Sequence, residues 1–204
     1  MVLVDMEGHG REPIDERVDV SRTVGWFTTI YPVLLEVKGR VTEVGEILKQ
    51  VKEQVRAIPE QGLGYGMLRY LGEESEKRRR LRELPQAEVV FNYTGQFDQT
   101  LSESGLFRLG REDRGEGRSG ANQRGHLLEV TGGVAGGQLQ LTWSYSEQVH
   151  QRETVERVAE QFLEALRQLI QQCQWGEVAG FTPSDFPEAE LSQYELDELV
   201  AELS

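Results

Sequence analysis

Strand-type runs and helical repeats take turns along this chain, and that alternation restricts the fold more than any single residue does. Apolar residues recur at Val41, Val44, Ile47, Leu48, Val51 and Val55, the spacing of one helix face, until Pro59 ends the pattern. A longer repeat of the same kind covers 151–173, through Val155, Val158, Ala159, Phe162, Leu166, Leu169 and Ile170. Strand-type runs lie at 2–6, 24–37 and 88–94, and two more, 126–134 and 138–146, flank Gly136-Gly137. That last pair reads as a hairpin, with Leu139, Leu141, Trp143 and Tyr145 alternating on one face. The class is α/β. Residues 24–37 are apolar on both faces, which predicts a buried strand, with Pro32 marking an irregularity or an edge.

The chemistry-bearing string is Glu-Gly-His-Gly-Arg-Glu at 7–12, placed where the first strand runs into a turn. Gly8 and Gly10 permit close backbone approach, and they crowd Glu7, His9, Arg11 and Glu12 at one strand end. Two readings stand: an acid/base site, or a Glu7–Arg11 pair that merely caps the turn. Asn92 and Tyr93 are expected to end the 88–94 strand, where they could equally form a plain strand-end hydrogen-bond pair. Gly62-Leu63-Gly64-Tyr65-Gly66 lacks the spacing and the Gly-Lys-Ser/Thr ending of a phosphate loop, so it reads as a turn entering a helix over 67–71. Tyr65 and Tyr70 are expected to pack there. The mixed-sign run Glu73 to Arg80 reads as a solvated helix face, and residues 110–125, without an apolar period, as a mobile loop.

Charge narrows the partners. The net charge of −13 argues against nucleic acid, whose phosphates call for clustered Lys and Arg. No segment is apolar enough to span a membrane and no secretory signal opens the chain, so a cytoplasmic setting is expected. The single cysteine, Cys173, allows no internal disulfide and is expected to pack at a helix end. Residues 1–176 are expected to form one lobe, and Thr182-Pro183-Ser184-Asp185-Phe186-Pro187 reads as part of a linker. Residues 177–204 then hold that linker and a short helix; from 181 onward there are seven acids and no base. Leu191, Leu196, Leu199, Val200 and Leu203 form a stripe on this helix, which could dock on a partner or belong to a frayed tail.

Four strings, EGHGRE at 7–12, SRTVGWFTTIYP at 21–32, PEQGLGYG at 59–66 and FNYTGQFD at 91–98, stand in a telling order. The series resembles the later signature motifs of epimerization domains of nonribosomal peptide synthetases, within the condensation-domain superfamily. The likeness covers about residues 1–175 and is weaker toward ordinary condensation domains at the Trp-Phe-Thr and Phe-Asn-Tyr strings. The family's HHxxxDG motif is absent: His9, His126 and His150 are all isolated from one another.

The resemblance therefore implies the C-terminal lobe of a chloramphenicol-acetyltransferase-like sandwich, incomplete, with helices packed on a mixed sheet. It implies inversion of the α-carbon of an aminoacyl or peptidyl thioester, carried on the 4′-phosphopantetheine of a peptidyl carrier protein. The chain itself would need no cofactor and no metal. Glu7 would be one acid/base group, and a histidine of the missing motif the other. Arg11 would hold Glu7 or offset its charge, and Asn92 and Tyr93 would donate near the enolate oxygen. His9 is not expected to act as the base. Neighbouring synthetase modules would be partners, met through the acidic helix. Three readings result: an epimerization fragment inactive until completed, a non-catalytic docking piece, or part of a peptide-bond-forming condensation domain.

Overall fold

Strand β1 (Val2–Gly8) lies antiparallel to β2 (Thr29–Leu35) and parallel to β3 (Val89–Gln96). Next to β3 comes β4 (Leu128–Ala135), parallel to it, and then β5 (Gln138–Tyr145), antiparallel, so the sheet order is β2-β1-β3-β4-β5. The structure is a computed structural model that describes residues 1–11, 17–39, 44–96, 115, 119, 121–174 and 181–203. Glu12, Val41, most of the expected loop at 110–125 and the 175–180 stretch lie outside the described residues.

Register and strand alternation sort the side chains into two faces. Asp5 and Glu7 share one face with Ile30 and Pro32 of β2, Val90 and Asn92 of β3, Glu129 and Thr131 of β4, and Thr142 and Ser144 of β5. The other face carries Val4, Met6, Tyr31, Val33, Phe91, Val130 and Trp143. Helix α4 (Arg152–Gln174) covers this apolar side: Phe162 meets Trp143 edge-on at 5.8 Å between ring centres, and Val155 is buried.

The expectation of a strand buried on both faces over 24–37 is corrected. Pro32 has no N–H for a second ladder, and β2 accordingly sits at the sheet edge. Only Tyr31 and Val33 are buried, at 7% and 4% exposure, while Ile30 and Leu34 stay exposed and Trp26 lies outside the strand. Helix α1 (Val44–Arg56) is stitched to the end of β2 by glutamines. The Gln54 amide donates to Glu36 O and accepts from Glu36 N, both at 2.8 Å, and Gln50 accepts from Lys38 N at 2.9 Å.

Past α1 the turn Pro59–Gly62 leads into α2 (Leu63–Gly66), which continues as a wider turn over Met67–Leu71. Helix α3 (Glu76–Glu83), capped by Ser75, follows. Its basic face is not uniformly solvated. Arg78 turns inward and donates to the carbonyls of Arg69, Tyr70 and Gly72, closing the end of that turn. Strand β3 does not stop at Tyr93; it runs on to Gln96 through a register shift, with Gly95 at φ +83°. The hairpin is as read: Gly136 and Gly137 both adopt positive φ, the geometry of a two-residue turn matched to strand twist. Cys173 is exposed, so it does not pack as expected.

The acidic C-terminal stretch folds back onto α1 of the same chain. Asp185 accepts from Lys52 Nζ at 2.5 Å, from Arg56 Nη1 at 2.6 Å and from the Thr182 backbone N–H at 2.9 Å. The Ser184 hydroxyl donates to Glu53 at 2.5 Å, and Thr182 is fully buried. Helix α5 (Gln193–Leu203) buries Leu196 while Tyr194 and Leu199 remain exposed.

Candidate functional site

Glu7 stands near the C-terminal end of β1, on the polar face of the sheet, where parallel strands of α/β folds commonly present ligands. Asn92 holds it there. The Asn92 side-chain N–H donates to Glu7 Oε2 at 2.8 Å, and the Asn92 carbonyl oxygen lies 2.6 Å from His9 Nε2. An amide oxygen can only accept, so Nε2 of His9 carries the proton in that contact. Its Nδ1 lies 3.5 Å from the Thr28 hydroxyl, at the outer limit of a hydrogen bond. Gly8 makes the packing possible, because a Cβ there would come within 2.8 Å of Thr29 Oγ1.

The structure brings Glu7 and Asn92 together and separates the other two expected residues. Arg11 does not reach Glu7. Its guanidinium donates to the Val20 carbonyl at 2.7 Å and to that of Thr23 at 2.5 Å, and lies 4.5 Å from the centre of the Phe27 ring. Arg11 thus organises the segment leading into β2. Tyr93 follows Asn92 directly on a strand, so the two side chains leave opposite faces. Tyr93 pairs with Gly132 on the apolar side and is 43% exposed. Neither Arg11 nor Tyr93 hydrogen-bonds Glu7.

A second polar group shares the face of Glu7. His126 Nε2 lies 2.7 Å from Asp5 Oδ2, with both side chains about four-fifths buried. They line a cavity of about 500 Å³ together with Thr28, Ile30, Tyr65 and Arg69. Arg69 donates to the Tyr65 hydroxyl and lies 5.4 Å from the centre of the Tyr70 ring, so those tyrosines hold a cation. Among the described residues, no group of three or more His, Cys, Asp and Glu could hold a metal ion.

The sequence model of the Condensation domain family matches residues 1–192. The chain belongs to the condensation-domain family. This condensation-family chain is 47% identical over 201 residues to one subunit of the linear gramicidin synthase of Brevibacillus parabrevis, and 46% identical over 196 residues to another. With surfactin synthase subunit 1 of Bacillus subtilis (strain 168) it shares 38% identity over 199 residues. Each alignment takes in at least 96% of the condensation-family chain but only 3–6% of the relative. Its fold superposes on the crystal structure of the epimerization domain from the third module of tyrocidine synthetase B, with a TM-score of 0.74 and 33% identity. That match spans 84% of this chain and 37% of the solved one.

The sequence marks His9 and Thr28 only as members of their motifs and gives no sign of Asp5, Arg69 or His126 as site residues. One signal does exist: Asp5 and Glu7 are two apart on a strand and so must share a face. Contact between His126 and Asp5, 121 positions apart, leaves no local trace in a sequence.

Proposed function

We propose that this condensation-family chain supplies one half of an epimerization site, in which Glu7 exchanges the α-proton of an aminoacyl or peptidyl thioester. The observation that carries the reading is the mooring of Glu7. Asn92 holds Oε2, while among the described residues Oε1 takes no hydrogen bond and is left to accept or deliver a proton. Proton removal makes an enolate; return of a proton to the opposite face completes the change from L to D. The adjoining cavity gives room for the substrate's acyl portion, with Tyr65, Tyr70 and Ile30 as apolar walls and Arg69 as a donor.

The substrate would arrive on the phosphopantetheine of a carrier protein belonging to a peptide synthetase, with neighbouring modules as partners. The four ordered motifs and the likeness to a solved epimerization domain favour inversion over peptide-bond formation. The second acid/base group would come from polypeptide bearing a paired-histidine motif, which these 204 residues lack.

The test completes the domain with such a segment and follows deuterium uptake from heavy water into a carrier-bound aminoacyl thioester. Glu7→Gln removes the proton acceptor while keeping the shape, and uptake should fall about 10²–10⁴-fold. Full uptake in that variant refutes the assignment. A completed domain that joins two acyl groups without inverting either would support the condensation reading.

A further inference from the structure

We infer that His9 is a positioning residue: its Nε2–H locks the Asn92 amide in the one rotation that presents N–H to the Glu7 carboxylate. The inference rests on the epimerization reading for its consequence in catalysis, but the hydrogen-bond chain is a statement about this molecule alone.

An asparagine amide has two nearly isosteric ends, and rotation by a half-turn exchanges them. In the observed rotation Nδ2 lies 2.8 Å from Glu7 Oε2 and Oδ1 lies 2.6 Å from His9 Nε2. The opposite rotation would set the amide oxygen against a carboxylate oxygen, two acceptors in contact, and would release Glu7 from the donor that holds it. Whether that state is reachable depends on His9. With the proton on Nε2, the flipped amide meets N–H with N–H on one side and oxygen with oxygen on the other, so both contacts fail. With the proton on Nδ1 instead, Nε2 would accept from the flipped NH₂ and half of the penalty would vanish.

The Asn92 contact fixes the first tautomer, because Oδ1 at 2.6 Å from Nε2 can only accept. The Thr28 hydroxyl, 3.5 Å from Nδ1, is compatible with it because a hydroxyl can donate there. Gly8 directly precedes His9, and its close approach to Thr29 and Tyr31 fixes the backbone from which His9 projects. The direction of hydrogen bonding is then continuous: Thr28 O–H to His9 Nδ1, His9 Nε2–H to Asn92 Oδ1, Asn92 Nδ2–H to Glu7 Oε2. Glu7 is thereby held through Oε2, and among the described residues Oε1 takes no hydrogen bond. Asn92 is the middle of this chain, which commits one of its two N–H groups to Glu7.

Nitrogen-15 NMR of the 204-residue chain, labelled at histidine and asparagine, reads this directly. The His9 ring should be the Nε2–H tautomer, and His9→Ala should shift the Asn92 side-chain amide. An Nδ1–H tautomer, or an unmoved amide, overturns the proposal. In the completed domain, His9→Ala should lower kcat about 10- to 100-fold with KM unchanged. His9→Gln, whose amide N–H can still donate to Oδ1, should recover most of that loss, a rescue that a merely space-filling role would not show. Wild-type kcat in His9→Ala, where Glu7→Gln is inactive, also overturns it. If Glu7→Gln itself stays active, the epimerization reading fails, and the tautomer still decides the hydrogen-bond chain.

Discussion

Gly62 shows how much a single hydrogen atom can decide. Its φ is +80°, and a Cβ built on it would sit 2.0 Å from the Tyr31 ring. Tyr31 cannot retreat, because it is buried in the strand that pairs with β1 beside Glu7. Glu60 and Gln61 just before it also hold positive φ, near +47°, so the chain enters this contact through a left-handed turn that L-residues resist. Gly62→Ala should therefore cost about 2–4 kcal/mol, combining a left-handed alanine with an overpacked ring. Denaturant unfolding of both proteins measures this directly, and a change under about 0.5 kcal/mol would show that Tyr31 can move aside. Glycine-rich sequence announces a turn here, but the ring that makes glycine obligatory comes from a strand about 30 residues earlier in the sequence.

Among elements, the C-terminal segment behaves least like its sequence. By composition, 181–204 is a linker and an acidic helix; in the fold it is clamped to α1 through Asp185, which Lys52, Arg56 and its own turn grip together. These partners, the Lys52 ammonium foremost, then Arg56 and the Thr182 N–H, hold the Asp185 carboxyl far below its usual 3.8. The sign follows from linkage: the unfolded chain protonates first on acidification. The clamp's contribution is thus complete above about pH 4 and is lost as pH falls through the depressed folded value. Asp185→Asn should remove that dependence and loosen the segment at neutral pH, seen as faster amide hydrogen exchange over 182–203. Equal exchange in both proteins would mean that Leu196 and Thr182 hold the segment without the charge.

The elements themselves are legible because they follow local periods: β1, α1, the hairpin and α4 appear where their patterns put them. Strand β2 is shorter than its apolar content suggests, since Val24 and Trp26 are apolar without being buried, and an edge strand needs only alternate residues inside. The site is half legible. Glu7 and Asn92 meet because their strands are neighbours in the sheet, whereas Tyr93 leaves the opposite face by alternation, a constraint already present in the residue numbers. Arg11 turns to backbone carbonyls of a later segment, and nothing local encodes that choice.

At the scale of the whole molecule, the decisive fact is that the carboxylates and imidazoles described around the candidate site gather on one side of one sheet. Glu7 and the Asp5–His126 pair project from the same face, and His9 reaches it through Asn92. A substrate carbon laid on that face meets those carboxylates and imidazoles from below, while Tyr65, Arg69 and Tyr70 line the cavity from another element. Such an array can take a proton and return it to the same side, but inversion requires delivery from the opposite one. The 204-residue chain by itself should therefore not equilibrate L and D forms of a carrier-bound aminoacyl thioester, whatever exchange it supports. Chiral analysis after incubation in heavy water separates the cases: deuterium without the D-isomer, or no deuterium, fits a one-sided array. Full D/L equilibration would require a second proton donor within these residues and would overturn the one-sided geometry. The same face exposes Ile30 beside Glu7 and Leu34 further along β2, an apolar border that a second lobe bearing that donor would cover.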